Sequence, residues 1–271
     1  MAGGRTSVNG TKYTIERGRT SVNGTKYTIE KGRTSVNGTK YNIVFKDLTI
    51  NGLISNMSIK AIHGSDHANN SPSSPGAIHI VPPATGTYYA FGVSGYGLSI
   101  AKCIFTGSTG NWTISITELK HVYNSGSGSM EITINKNSNN AYVFLDSSLS
   151  DDDIRGTLIL AQFTDYTVEE VDSLISASST EVVAGRYSAS NGTAPSVDAS
   201  NLVGKISIFA TGQNMAFNYF SSATSYTTLQ SSESEGYTSG LVYINSSEAK
   251  AYVSYNGTSA ASCRTGTIAT I

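Results

Sequence analysis

Cysteine, proline, charge and long apolar runs are all scarce in this 271-residue chain, and each scarcity removes a class of protein. Two cysteines, Cys103 and Cys263, are too few for a disulfide framework, and neither has a metal-ligating partner at short spacing. Both read as buried or half-buried thiols, with a Cys103–Cys263 bridge as the alternative. No run approaches the roughly 20 apolar residues that a membrane-spanning helix needs, and the N-terminus lacks the charged-then-apolar pattern of a signal peptide. The expectation is no membrane partner and a chain assembled inside a cell. Only 14% of residues are charged, with 18 Lys plus Arg against 19 Asp plus Glu and a net charge of -1. A nucleic-acid binder needs clustered positive charge to displace counterions, so no nucleic acid is expected as partner.

What is abundant points to strands. Gly (27 residues), Tyr (16) and a Ser plus Thr content of about a quarter belong to strands and tight turns, and only 5 prolines interrupt them. The 38% of hydrophobic residues suffices for one or several small cores, so an ordered, mostly β chain is expected.

Arg5, Arg19 and Arg33 open three near-identical copies of one 14-residue unit: GRTSVNGTKYTIER, GRTSVNGTKYTIEK and GRTSVNGTKYNIVF, each read from the preceding glycine. Asn9-Gly10, Asn23-Gly24 and Asn37-Gly38 are strong hairpin signals, because a two-residue type I′ turn needs positive φ at both central positions. Each unit is therefore predicted to be one hairpin. In the first, Val8 should pair with Thr11, Ser7 with Lys12 and Thr6 with Tyr13. Alternation then gathers Thr6, Val8, Thr11, Tyr13 and Ile15 on one face and leaves a polar face opposite. Arg17-Gly18 and Lys31-Gly32 can close further tight turns that set Glu16 beside Arg19 and Glu30 beside Arg33, an arrangement that opposite charges favour. The region reads as a six-strand meander.

Such a ribbon has one thin apolar face and nothing within the repeat to pack it on, so it needs a partner surface. The rest of the chain, another copy of it and a different protein in a larger assembly are all open. A duplicated surface ribbon without a role of its own is the plainer reading. The string GRTSVNGTKYTIEKGRTSVNGTKYNIVF resembles the tandem GRTLVNGTxYxI-type repeats in structural and tail-region proteins of phages and prophages of Gram-positive bacteria. The resemblance covers about residues 3 to 45. It rests on the Arg-Thr pairs from Arg5-Thr6 onward, on the Asn-Gly turns, and on Tyr13, Tyr27 and Tyr41. It implies a virion component that is tail-associated or head-decorating, with other virion proteins and further copies of itself as partners.

Beyond the repeat, residues 46–83 read as a connecting segment with strands at Asp47–Ile50 and Met57–Ile62 and a polar loop, HGSDHANNSPSSPG. His63, Asp66, His67 and His79 lie in or beside that loop. A metal site is conceivable there, but so poor a helix former does not hold His-x-x-x-His on one face, and solvated loop histidines are the plainer reading. After Pro83 a fainter repetition appears. Residues from Ser129 align without a gap with those from Ser239, an offset of 110 that matches Ile134-Asn135 with Ile244-Asn245, Ala141-Tyr142-Val143 with Ala251-Tyr252-Val253, and Gly156-Thr157 with Gly266-Thr267. Upstream, with gaps, Gly86–Ala90 resembles Gly185–Ala189 and Cys103–Gly107 resembles Ser207–Gly212. Two tandem, duplicated β-sandwich or barrel-like domains are expected at 84–165 and 183–271. Between them, at 166–182, Thr167 and Glu170 form a capping-box signature, and Val168, Val171, Leu174 and Ile175 follow helical spacing.

No catalytic constellation stands out. The chain shows no nucleophile with a base and no paired carboxylates, and GYGLSI lacks the spacing of a nucleotide loop. Asp151-Asp152-Asp153 lacks the alternation, glycine and terminal Glu of an EF-hand, and reads as a solvated turn or helix start. No enzyme activity, cofactor or metal is expected. Trp112, Tyr88, Tyr89, Tyr187, Phe217 and Tyr219 offer either sugar-stacking platforms or ordinary sheet packing. The expected function is accordingly a structural virion protein, made in the host cytoplasm, that assembles through the hairpins of residues 1–45. The alternative, from another class, is a carbohydrate- or cell-surface-binding adhesion module with a host-surface glycan as partner, its duplicated domains raising avidity.

Overall fold

Period-two alternation broken by Gly-, Asn- and Ser-rich turns folds most of the described residues as antiparallel strands, so the all-β class expected from the sequence holds. The computed structural model describes the strand backbones between residues 3 and 43. It further describes residues 47–65, 77–80, 84–94, 97–108, 113–123, 133–137, 140–144, 156–185, 195–211, 214–232, 240–254 and 266–271. These fall into two compact units, Met1–Ser55 and Asn56–Ile271.

In the first unit each copy of the repeat closes on itself. Strands β1 (Gly3–Val8) and β2 (Thr11–Glu16), β3 (Arg19–Val22) and β4 (Thr25–Thr28), and β5 (Gly32–Val36) and β6 (Thr39–Ile43) form three separate two-stranded sheets. The six-strand meander is thus corrected, among the described residues, to three hairpins, and Glu16 pairs with Gly3 rather than Arg19. Turn chemistry explains the preference. Asn-Gly supplies two residues that tolerate positive φ, whereas Arg17-Gly18 and Lys31-Gly32 supply one each. The strand expected at Asp47–Ile50 is replaced by the start of helix α1 (Ile50–Ser55). There Thr49 Oγ1 accepts from the Gly52 N–H at 3.1 Å while the Thr49 hydroxyl donates to Asp47 Oδ1 at 2.8 Å. A Cβ at Gly52 would run into the Asp47 carbonyl oxygen, so only glycine fits.

The second unit uses one topology twice. Its first half contains β7 (Ser58–Ser65), β8 (Ala77–Ile80), β9 (Gly86–Ser94), β10 (Gly97–Thr106), β11 (Thr113–Tyr123), β12 (Thr133–Asn137), β13 (Asn140–Phe144) and β14 (Gly156–Gln162). Helix α2 (Val168–Ala177) follows. The second half contains β15 (Glu181–Gly185), β16 (Ser196–Asp198), β17 (Ile206–Ala210), β18 (Met215–Ser222), β19 (Ser225–Ser232), β20 (Val242–Asn245), β21 (Lys250–Val253) and β22 (Thr267–Thr270). The sheets are β11-β10-β9-β14-β7 with β12-β13-β8, and β19-β18-β17-β22-β15 with β20-β21-β16. Counted from its own first strand, each half has the order 5-4-3-8-1 and 6-7-2.

That topology revises three details of the sequence reading. Residues 46–83 are no mere connection, because β7 pairs with β14 and β8 with β13 to complete the two sheets. Upstream of the gapless match the halves correspond one strand differently. Val93 stands opposite Thr157 and Ala210 opposite Thr267, so β9 matches β17 rather than β15, and Ile100 in β10 matches Phe217 in β18. Further, Ile134 opposite Val143 corresponds to Val242 opposite Val253, because the second hairpin has a longer loop.

Burial shows how the layers stack. In the second half Phe209, Ala216, Phe220 and Ile268 of the five-stranded sheet pack with Val197, Val242, Ala251 and Val253 of the three-stranded one. Every residue of β17 and β22 is nevertheless buried, on both faces. The outward face carries Phe217, which meets Phe91 of β9 edge to face at 5.5 Å between ring centres. Thr157 of β14 donates to the Thr211 carbonyl beside it, again across the halves. The two five-stranded sheets therefore pack against each other, with the small sheet of the second half on the far side.

A further regularity concerns the outermost strands of the large sheets. Between central strands the ladders run without a shift. Each of the four outer strands carries one extra residue: Lys60 in β7, Leu119 in β11, Val183 in β15 and Leu229 in β19. Leu119 and Leu229 occupy equivalent places, opposite Ile100/Ala101 and Phe217/Asn218. Such bulges bend and twist the strand locally.

Candidate functional site

The helix between the halves organises the most elaborate side-chain cluster among the described residues. α2 begins where the sequence signals it: Glu170 N–H donates to Thr167 Oγ1 at 3.2 Å, and the Glu170 carboxylate accepts from the Thr167 N–H at 2.9 Å. Val171 and Ile175, one turn apart, are buried, and Ser178 closes the far end through the Ile175 carbonyl. Asp172, beside the buried stripe, is thereby aimed at the sheet.

It meets a pair prepared by strand register. Tyr89 of β9 and Lys102 of β10 are directly opposite each other. The Tyr89 hydroxyl donates to Asp172 Oδ1 at 3.0 Å, with the Val168 carbonyl a longer acceptor at 3.4 Å, while the Lys102 ammonium pairs with Asp172 Oδ2. Burial, then the hydrogen bond to Asp172 and the charges of Asp172 and Glu169, raise the Tyr89 pKa well above the ordinary tyrosine range. The phenol stays a neutral donor. The cluster is a latch between helix and sheet.

Beside the latch lies a cleft of about 180 Å³. Its floor is Tyr89, Phe163 and Val171, all buried, with Phe163 edge-on to Tyr89 at 5.4 Å and to Phe91 at 6.4 Å. Tyr166 forms a wall. Thr87, Gln162, Thr164 and Val168 form the mouth, and Gln162 Nε2 is fixed by donating to the Thr87 carbonyl at 3.2 Å. Among the described residues that line it none is charged.

The residues singled out from sequence are distributed otherwise. In the repeats the ladders set Thr6 opposite Tyr13, Thr20 opposite Tyr27 and Thr34 opposite Tyr41, with Val8, Val22 and Val36 opposite the threonine that follows each Asn-Gly pair. Arg5, Arg19 and Arg33 face Thr14, Thr28 and Asn42, and Ile15 faces Gly4. Asn9, Gly10, Asn23, Gly24, Asn37 and Gly38 lie outside the described residues, as do Asp66, His67, Asp151 to Asp153, Trp112, Tyr187 and Cys263. His63 and His79 fall in β7 and β8, which belong to different sheets, and no metal-binding group of side chains occurs among the described residues.

Of the two uses weighed for the aromatic residues, Tyr88 and Phe217 take the packing one. Tyr88 is buried edge to face on Phe105 and donates to the Ala84 carbonyl at 2.9 Å; Phe217 is buried against Phe91. Cys103 is a free, buried thiol, and desolvation pushes its pKa up to about 12; its alternative partner Cys263 lies outside the described residues. Sequence reasoning missed Lys102, Asp172, Gln162 and Phe163. Only the Thr167 cap hinted at them, since it fixes which side of α2 Asp172 occupies. Compared with family models, curated proteins and solved structures, the chain matches none.

Proposed function

We propose that this chain is a structural virion protein of a bacteriophage or phage-like particle, tail-associated or head-decorating, that is assembled in the host cytoplasm and joins its neighbours through the N-terminal hairpins. The observation that carries the reading is the repeat itself: three copies with one backbone register, each closed as its own two-stranded sheet. A lone two-stranded ribbon is marginal in water, so three in series gain their order from a surface they pack on. Three ribbons of one register, recurring every 14 residues, suit a surface that itself repeats, as an oligomer of this chain or of another virion protein does. The resemblance of GRTSVNGTKYTIEK to phage tail-region repeats gives the class of assembly. A net charge of -1 suits protein neighbours better than nucleic acid.

The test is a chain lacking residues 1–43. It should keep the thermal transition of the Asn56–Ile271 unit and lose incorporation into particles. Normal incorporation of the truncated chain overturns the attachment role.

A further inference from the structure

Taking the repeats as the attachment device proposed above, we infer that their partner is a second copy of this chain, met where β2 pairs antiparallel with the same strand across a twofold axis at Thr14. The β1–β2 ladder runs without a shift from Gly3↔Glu16 to Val8↔Thr11, and among the described residues no third strand joins it. Two residues separate Val8 from Thr11, and a two-residue loop closes on a hydrogen-bonded pair. Alternation then turns the backbone N–H and C=O groups of Thr11, Tyr13 and Ile15 toward β1, and those of Lys12, Thr14 and Glu16 away from it. The outer margin of β2 is thus a row of backbone donors and acceptors that another strand can complete.

Charge selects the occupant. A twofold axis at Thr14 sets Lys12 opposite Glu16 of the partner subunit and Tyr13 opposite the partner subunit's Ile15. By symmetry two opposite-charge pairs stand directly across the new ladder, which favours that register. The same operation on β1, whose outward positions are Gly3, Arg5 and Ser7, sets Arg5 against its own copy, and like charges directly opposite disfavour it. The β2 pairing also joins two ribbons into one four-stranded sheet, past the three strands at which a sheet with one apolar face gains stability of its own.

The same chain does not supply this partner. The second copy of the repeat has Lys26 in β4 and Glu30 after it. Because β3 and β4 are antiparallel, a β2 antiparallel to β4 would run parallel to β3. Strands running the same way need a connection of roughly a dozen residues, and only Arg17 and Gly18 lie between β2 and β3. The third copy has Val44 where the first has Glu16, so it offers only one of the two charges.

The experiment measures self-association of the full chain by sedimentation equilibrium, beside Glu16→Lys/Glu30→Lys, Lys12→Glu/Lys26→Glu and the fourfold exchange that combines them. Both copies are changed because Lys26 and Glu30 repeat the first pair. The parent should dimerise, and each double variant should do so about tenfold more weakly, since like charges then meet at two places. The fourfold exchange restores opposite charges in reversed order and should return to within about twofold of the parent. The thermal transition of the Asn56–Ile271 unit should be the same in all four chains. A monomeric parent, association indifferent to both reversals, or a fourfold exchange no stronger than the double variants overturns the inference. A parent that is monomeric and yet needs residues 1–43 to enter particles overturns the self-pairing alone and keeps the attachment role, with a different protein as partner.

Discussion

Replacing Asp172 by alanine removes one carboxylate and leaves two partners in different situations. Tyr89 is 3% exposed but the Asp172 side chain is 26% exposed, so water entering the vacated space replaces the lost acceptor only in part, and the remaining Val168 carbonyl lies at 3.4 Å. An orphaned buried hydroxyl costs about 1–3 kcal/mol. The Lys102 side chain keeps 16% exposure and its ammonium can partly rehydrate, so loss of the ion pair adds only about 1 kcal/mol rather than the figure for a fully buried charge. The expected destabilisation is therefore about 2–4 kcal/mol, or roughly 4–12 °C in Tm for a unit of this size. Urea denaturation followed by circular dichroism should show a lower midpoint with an unchanged slope. The decisive measurement is a double-mutant cycle with Tyr89→Phe. If the hydroxyl is the group stranded by Asp172→Ala, deleting it in that background should recover about 1–2 kcal/mol. Strict additivity, to within about 0.5 kcal/mol, would refute the latch.

Other outcomes follow from single features. The Cys103 thiol, raised from 9.0 to about 12, favours the folded state fully at neutral pH. Stability should fall as pH rises from about 9 toward 12, and Cys103→Ala should flatten that limb in pH-dependent urea melts. Gly240→Ala should cost about 2–4 kcal/mol by thermal denaturation, because φ is +62° and the new Cβ would collide with Thr228 Oγ1 and lie 2.6 Å from Asn218 Oδ1. Phe91→Ala, at the junction of the large sheets, should lose about 3–5 kcal/mol in the same assay while the melt stays a single transition; separate melting of the halves would contradict a shared core. Thr157→Val, which strands no donor but removes one from the Thr211 carbonyl, should cost about 1–2 kcal/mol in urea.

Local chemistry was legible in the sequence, and long-range correspondence was not. Asn-Gly pairs specify two-residue hairpins through backbone φ alone, and the ladders of the repeats follow the register worked out for Val8, Ser7 and Thr6. Thr167 and Glu170 announced α2 for the same reason, since a cap needs only neighbours. The gapless match located β13 against β21 and β14 against β22 correctly. It failed upstream because apolar strands such as CIFTG and SIFATG look alike whichever strand they form, and only pairing partners distinguish β10 from β17. The latch was hidden for a related reason. Tyr89, Lys102 and Asp172 are brought together by one cross-strand pairing and one helix rotation, neither of which leaves a mark on sequence spacing.

The extra residues in the four outer strands set a limit on how this molecule can be multiplied. None of the described strands contains any of the five prolines, at 72, 75, 82, 83 and 195, so the residue that most simply blocks a sheet margin is not used there. Lys60, Leu119, Val183 and Leu229 serve instead, because a strand with one surplus residue offers a neighbouring copy an interrupted row of N–H and C=O groups. A five-stranded sheet so ended does not grow into a six- or ten-stranded one when copies are crowded together. Concentrated solutions of the Asn56–Ile271 unit should accordingly resist fibrillation, and deleting Leu119 or Leu229 should restore a continuous template and bring it on.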